Sequence, residues 1–418
     1  MDKFRFEKEA VLKYDRWGIS EKTTFPFAAF ALGMAAVLTG LRWYFFMVDF
    51  VPEENDYVLS SHATLILTIL TIVAILGACL VLFQRQYPIA VFRDDDQNAS
   101  VRALAAVCGI WYLVYAIAYN YFQASTHPIL SRVYLVFTVL SVLYFFVLVS
   151  TKPRVRFRFF SLAGLIVFFI LRVFIQHFDT SLQIYSPLRI PSQMATLAAA
   201  CYFVAEMRAM VNAEKPQLWY AVNFVAVILL SESSIPVLAT ALLKKWEFSF
   251  VLFEAILELC LLCYIGLRMV LMYFPFKWTQ ILNYLVFGVL TTVVNLIVFF
   301  ALTKTMDVLI ANVIAWIAGV LFAFITNKFL VFESKSKQIR TLGREFGTFT
   351  LARLFSLGAE ELILLAGIRG LRMGEGVTKL IAAVVVIVLN YVFSKLFIFR
   401  TKAPSDQSQT ADMTPPAP

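Results

Sequence analysis

Residues 63–83 read ATLILTILTIVAILGACLVLF, an unbroken run without a single charge. At about 1.5 Å of rise per residue, a helix of this length covers the roughly 30 Å of a bilayer's hydrocarbon core. The run is therefore a transmembrane span, and the rest of the chain follows from it. Apolar runs recur near 25–48, 103–123, 129–150, 159–176, 190–211, 217–238, 248–271, 281–303, 308–327, 347–368 and 377–399. Hydrophobic residues make up 61% of the 418 and charged residues 15%, whereas soluble domains run near 45–50% and about a quarter. A soluble globular protein is excluded. So is a disordered one, because 41 Phe, 17 Tyr and 7 Trp are residues that a chain avoiding burial does not carry. The expected fold class is an all-α polytopic membrane protein of about twelve transmembrane helices.

Positive charge sets the expected orientation. With the N-terminus inside, 25 Lys and Arg fall in cytoplasmic segments and 8 outside, and Arg42, Arg172 and Arg353 lie within spans. This loop-by-loop asymmetry predicts a multi-pass protein of the cytoplasmic membrane with both termini cytoplasmic. The formal charge of +9 is topological and implies no nucleic-acid partner. All five cysteines sit in apolar segments. Cys260 and Cys263 form a CxxC in mid-helix, without the loop geometry or partner pair of a zinc site. No metal and no cofactor are expected. There is no Gly-rich phosphate loop or sizeable soluble domain, so ATP-driven transport by this chain is not expected either.

Pro275, between two apolar runs in YFPFKWTQ, ends one helix before the next begins. The organisation expected from these signals is a cytoplasmic segment 1–24, an eight-helix membrane domain 25–276 and a four-helix membrane domain 277–402. A polar, Pro-rich tail, 403–418, closes the chain and reads as disordered. The four-helix part holds an internal repeat. Phe324–Phe332 (FITNKFLVF) and Tyr391–Phe399 (YVFSKLFIF) match at an offset of 67, with Lys328 aligned to Lys395. The openings Phe287-Gly288 and Phe346-Gly347 are also alike.

Four stretches carry a family resemblance: FGVLTTVVN (Phe287–Asn295), ANVIAWIAGVLFAFITNKFLVF (Ala311–Phe332), REFGTFTLARLFSLGAE (Arg344–Glu360) and TKLIAAVVVIVLNYVFSKLFIF (Thr378–Phe399). In this order they resemble the GtrA-like family of small four-span membrane proteins, over about residues 277–402. The chain departs from the family pattern at Leu330 and Phe397, where Trp is usual before Val-Phe. The first 276 residues match no recognised family. The resemblance implies translocation of a polyprenyl-phosphate-linked sugar across the cytoplasmic membrane, for glycosylation of a surface polysaccharide or wall polymer. Such work involves headgroup binding and alternating access, with no covalent catalysis. Membrane lipid is then an obligatory partner, with a glycosyltransferase and a homodimer as further candidates. Two other readings stand beside it. In one, the N-terminal domain is an intramembrane enzyme that transfers or hydrolyses the delivered sugar. In the other, the chain is a non-transporting accessory subunit of a polysaccharide synthase.

Candidate site residues follow from charge and polarity inside the bilayer, where an ionised side chain costs roughly 2.5–3.5 kcal/mol and turns inward. Arg353 and Glu360, seven apart on one helix face with Glu361 adjacent, suit a phosphate and a resting counter-charge, or else a structural ion pair. Lys379 at the outer end, with Lys328 and Lys395 at the inner ends, can receive the phosphate at each face, and Lys328 and Lys395 can instead snorkel as topology anchors. Asn295, Asn312, Asn327 and Asn390 can contact sugar hydroxyls or bond between helices. In the N-terminal domain Glu254 and Glu258 share a helix face four residues apart, which is repulsive unless a cation intervenes. Arg172 is the candidate by depth, and the three form a possible second site. Glu206 and Glu232 are further intramembrane carboxylates. His62, His127 and His177 fall at the outer edge with Asp49, Asp56 and Asp179, without metal-site spacing.

Overall fold

The computed structural model describes residues 19–48, 50–51, 56–57, 60–83, 98–122, 128–150, 155–178, 188–211, 216–244, 249–273, 279–332, 339–370 and 375–398. The chain is an all-α polytopic membrane protein. Twelve α-helices lie among the described residues: α1 Ile19–Val48, α2 Ser60–Cys79, α3 Ala99–Phe122, α4 Pro128–Val149, α5 Val155–Phe178 and α6 Arg189–Met210 come first. Then follow α7 Pro216–Lys244, α8 Phe250–Tyr273, α9 Thr279–Leu302, α10 Val308–Thr326, α11 Ile339–Leu365 and α12 Glu375–Phe393. Each expected apolar run falls on one helix. A two-residue antiparallel pairing, Phe50 with Tyr57 and Val51 with Asp56, ties the connection between α1 and α2.

Among the described residues, nine of these helices are long and apolar enough to cross a membrane on their own. The exceptions are α6, α11 and α12. Arg189, Glu206 and Arg208 interrupt α6, and Arg344, Glu345, Arg353, Glu360 and Glu361 interrupt α11, whereas several side chains of α12 lie outside the described residues. Helices of this kind need neighbours to cover their charges.

The chain divides into two compact units, Met1–Phe274 and Pro275–Pro418. In the first, α3 packs on α4, α4 on α5, α5 on α6, α6 on α7, α7 on α8, and α8 back on α3, closing a ring of six helices. Helices α1 and α2 pack on each other and on α7 from outside the ring. That makes α7 the most enclosed span, with 72% of its apolar window buried. The ring is filled by aromatic side chains. Phe168 stacks on Tyr134 with centroids 5.1 Å apart and meets Tyr112 edge-on at 5.2 Å, while Phe203 stacks on Tyr264 at 6.4 Å. Helices α4 and α5 approach closely at Gly164, where an added Cβ would lie 3.1 Å from the Leu140 Cβ.

The second unit is two helical hairpins, α9–α10 and α11–α12. Both end in one π-helical turn, Asn327–Val331 after α10 and Ser394–Ile398 after α12. The two turns stand at the same offset of 67 that relates the sequence repeat, so the duplication extends to an unusual backbone detail. A third π-turn, Ala366–Gly370, closes α11.

Candidate functional site

In the first unit, α5 and α7 end where α6 and α8 begin, and a small, partly open cleft lies between these four helices. Its polar lining is Gln176 of α5, Arg189 and Ser192 of α6, Ser233 of α7, and Glu254 and Glu258 of α8. Its apolar wall, Leu188, Val237, Val251 and Ala255, continues into a cluster with Phe45 and Phe46 of α1 and Ala63 of α2. Helix periodicity places the polar residues together: Gln176 follows Arg172 by one turn, and Glu258 follows Glu254 by one turn.

Glu258 anchors the site. It is 1% exposed, and Arg172 Nη2 donates to its Oε1 at 2.7 Å. Ser192 Oγ donates to the same oxygen at 2.5 Å and Ser233 Oγ to Oε2 at 2.6 Å. Gln176 Nε2 donates to Ser192 Oγ at 2.9 Å and to Glu254 Oε1 at 3.2 Å, and Arg172 Nη2 stands 3.6 Å from that Glu254 oxygen. The structure thus brings Arg172, Glu254 and Glu258 together. Two arginines and two glutamates give the cleft no formal net charge. Some of its hydrogen-bonding capacity is unspent: Arg189 is 5% exposed, its Nε and Nη2 have no protein acceptor, and Gln176 Oε1 has no protein donor.

Two further ionic nodes lie in the same unit. Glu232 accepts from Arg42 Nη2 at 2.7 Å and from Thr71 Oγ1 at 3.0 Å. Glu206, 0% exposed, accepts from Tyr144 at 2.8 Å and Arg158 at 2.9 Å, with Arg268 Nη1 3.1 Å from its other oxygen. Arg268 also lies over the Trp219 ring, 5.8 Å from its centroid. Arg158 and Arg268, counted in the sequence as topological charges of inner segments, are ion-pair partners. His62 and His177 are exposed, whereas His127, Asp49 and Asp179 lie outside the described residues. Among the described residues no group of three or more His, Cys, Asp or Glu is arranged to hold a metal ion.

The second unit distributes its polar residues unevenly. Lys328 is fully buried and paired with Glu345 of α11, with its Nζ 5.6 Å from the Phe329 centroid. It does not snorkel. Its repeat partner Lys395 is exposed and bonded to Tyr391 OH at 3.2 Å. Arg353 is half-buried, its guanidinium 5.0 Å over the Phe349 ring. One turn on, the Ser356 hydroxyl lies 2.9 Å from the Arg353 carbonyl and 3.0 Å from Asn390 Oδ1, linking α11 to α12. Asn327 is buried, and its Oδ1 has no protein donor. Asn295 lines the close approach of α9 to Gly319 of α10, and Asn312 faces outward. The side chains of Glu360, Glu361 and Lys379 lie outside the described residues, as does the tail 403–418. At the end of the bundle near Lys395, Tyr391 donates to Gln280 at 3.3 Å and packs edge-on against Tyr284, centroids 5.3 Å apart.

Sequence reasoning missed Arg189, Gln176, Ser192 and Ser233. Arg189 reads as an outer loop charge, and its signal was positional: it precedes Pro191, a residue suited to the first turn of a helix.

Comparison with known proteins bears on the second unit. The family model described as GtrA/DPMS, transmembrane domain, matches residues 283–399. A Listeria innocua protein named cell wall teichoic acid glycosylation protein GtcA is 40% identical over 125 residues, which are 29% of this chain and 86% of that protein. The Listeria monocytogenes protein of the same name is 40% identical over the same shares. An uncharacterized membrane protein of Bacillus subtilis, YwcD, is 37% identical over 119 residues, 28% of this chain and 94% of its own length. No solved structure matches the chain. Through its C-terminal four-helix unit, the chain belongs to the GtrA/DPMS transmembrane-domain family.

Proposed function

We propose that this protein translocates a polyprenyl-phosphate-linked sugar across the bacterial cytoplasmic membrane for glycosylation of a cell-wall polymer, and that the C-terminal unit is the translocating part. The observation carrying this reading is the relation to proteins named for teichoic acid glycosylation, which consist almost entirely of this unit. Chemistry supports it. A flippase has to lead a phosphate and a polyol through a layer that rejects both, while the isoprenoid stays in lipid. Arg353, half-buried over Phe349, supplies a guanidinium that binds a phosphate bidentately. Asn327, Asn390 and Asn295 supply neutral groups for sugar hydroxyls.

The two repeat lysines take unequal parts. Lys395 is exposed at its helix end and meets the phosphate first. Lys328 is held by Glu345, so an incoming phosphate has to displace that carboxylate. This exchange couples headgroup binding to a shift of α11 against α10. On the charge asymmetry both termini are cytoplasmic, and the lysine pair then lies at the cytoplasmic face.

The test is reconstitution into sealed vesicles containing a polyprenyl-phosphate hexose, timing its exposure to a membrane-impermeant oxidant outside. The full chain and residues 277–402 alone both accelerate exposure on this reading, because the relatives show that such a unit exists as a whole protein. Arg353→Ala reduces the accelerated rate at least tenfold while the protein remains in the membrane. Full activity in Arg353→Ala removes that residue from the path. No acceleration by folded, correctly oriented protein sinks the translocation reading.

A further inference from the structure

The second unit accounts for about a third of the chain, and nothing in a translocation path calls for the cleft between α5, α6, α7 and α8. Its polar groups are of two kinds. Arg189 offers buried donors without an acceptor, and it stands at the first residue of a 22-residue helix whose N-cap, Leu188, makes no side-chain cap. A helix N-terminus bearing such an arginine presents aligned N–H donors and positive potential, a combination that binds phosphate. Pro191 removes one N–H from that turn, which leaves more of the donor work to the guanidinium.

The other kind is an acceptor surface. Gln176 Oε1 has no donor, and Glu254, still 17% exposed on its side chain, lies next to it. Carboxylate and amide oxygens in a partly dry cleft suit hydroxyl groups. The two carboxylates do not make the site anionic, because Arg172 and two serine hydroxyls hold Glu258 and Arg172 stands beside Glu254. A ligand that fits both kinds joins one phosphate to several hydroxyls.

Placement narrows the class further. Gln176 is two residues from the end of α5, Arg189 opens α6, and Glu254 is four residues into α8. At about 1.5 Å per residue these groups lie within roughly 6 Å of the helix ends, at headgroup depth. The adjoining apolar wall runs to α1 and α2, the helices outside the ring. By the charge asymmetry this is the outer end.

We infer that this cleft is a binding site for a glycosyl phosphate, with Arg189 and the α6 N-terminus on the phosphate and Gln176 and Glu254 on the sugar hydroxyls. The inference deepens the translocation reading, which supplies such a group on a polyprenyl carrier at the outer leaflet. A soluble sugar 1-phosphate carries the same chemistry.

Val251 lines the cleft one residue into α8, so a thiol placed there by Val251→Cys reports occupancy. The full chain is held in nanodiscs, both faces open, and reacted with a bulky maleimide, with the label taken up by the parent chain subtracted. Glucose, galactose and N-acetylglucosamine are each supplied as the polyprenyl phosphate and as the soluble sugar 1-phosphate. Polyprenyl phosphate without sugar is the control. The expected result is at least tenfold slower labelling with one sugar-bearing ligand. In Arg189→Ala that protection requires at least tenfold more ligand, and in Gln176→Leu the advantage over the bare carrier shrinks. Protection by the lipid-borne forms alone assigns the source to the carrier; protection by soluble sugar 1-phosphate as well assigns the site to the shared group. Labelling unchanged by every ligand, or slowed as much by the bare carrier, overturns the inference, and this holds even where a variant fails to fold. Nanodiscs enclose no compartment, so the result is independent of translocation. A chain that accelerates exposure in vesicles but shows no protection loses only this site.

Discussion

Buried charge in this protein is paired across long sequence distances, and that decides what single substitutions do. Arg172 and Glu258 are 86 residues apart, Arg42 and Glu232 190 apart, and both pairs are almost fully enclosed. A buried pair is weak as a net stabiliser, yet removing one partner strands the other at a cost of about 3–5 kcal/mol. Arg172→Met alone therefore lowers the thermal unfolding midpoint in detergent sharply, and Glu258→Met alone does the same. The double substitution is less damaging than either single one, because two apolar side chains leave no stranded charge. A double-variant loss equal to the sum of the singles shows that the groups act independently and refutes the pairing. Sequence made the Arg172 partnership legible, since depth along two helices matched a cation to two carboxylates. It hid Arg189, Arg158 and Arg268, because a charge near a helix end reads the same whether it faces water or turns back onto a buried carboxylate. Lys328 was hidden for the same reason, its partner Glu345 belonging to the next helix.

Hydrophobic length alone located the elements, because in lipid the backbone has to satisfy its own hydrogen bonds and an apolar run of span length has little choice but helix. Helix ends were less legible. α1 begins at Ile19, before the apolar edge near 25; α7 continues to Lys244, past 238; and α11 begins at Ile339, before 347. Hydropathy marks where lipid starts, whereas the helix continues into the headgroup layer. The π-turns were not legible either, since the one-residue surplus that makes them leaves no compositional mark. Helix packing is governed instead by small residues. At Gly164 an added Cβ meets the Leu140 Cβ, an atom fixed to the α4 backbone, whereas at Gly266 of α8 there is nothing within 4 Å. Gly164→Val forces α4 and α5 apart and destabilises by about 1–3 kcal/mol, as overpacking does. Gly266→Ala is neutral or stabilising by up to about 1 kcal/mol, the helix-propensity gain. Melting the two variants in the same detergent checks the contrast, and equal midpoints contradict the packing described at Gly164.

Helix parity matters at the scale of the whole chain. On the sequence expectation that all twelve helices cross the bilayer, the first eight bring the chain back to the side on which it began, and the last four return it there again. Each unit is thus topologically closed, and the relatives, in which the four-helix region makes up 86–94% of the protein, are what such closure permits. Orientation in the full chain and in residues 277–402 alone should therefore be the same, set in both by the lysines and arginines between α10 and α11 and after α12 rather than by the preceding eight spans. Thr305, in the turn between α9 and α10, lies at the outer face on this account. A Thr305→Cys thiol is labelled by a membrane-impermeant maleimide added to intact cells, to the same extent in the full chain and in the isolated unit and above the parent chain's background. Ser150→Cys, at the inner end of α4 in the full chain, is labelled only after permeabilisation. Labelling of position 305 from outside in the full chain but not in the isolated unit makes the first eight helices the determinant of orientation. Labelling of position 305 only after permeabilisation in both inverts the whole arrangement and moves the cleft of the first unit to the cytoplasmic face, where its glycosyl phosphate would be met before translocation rather than after it.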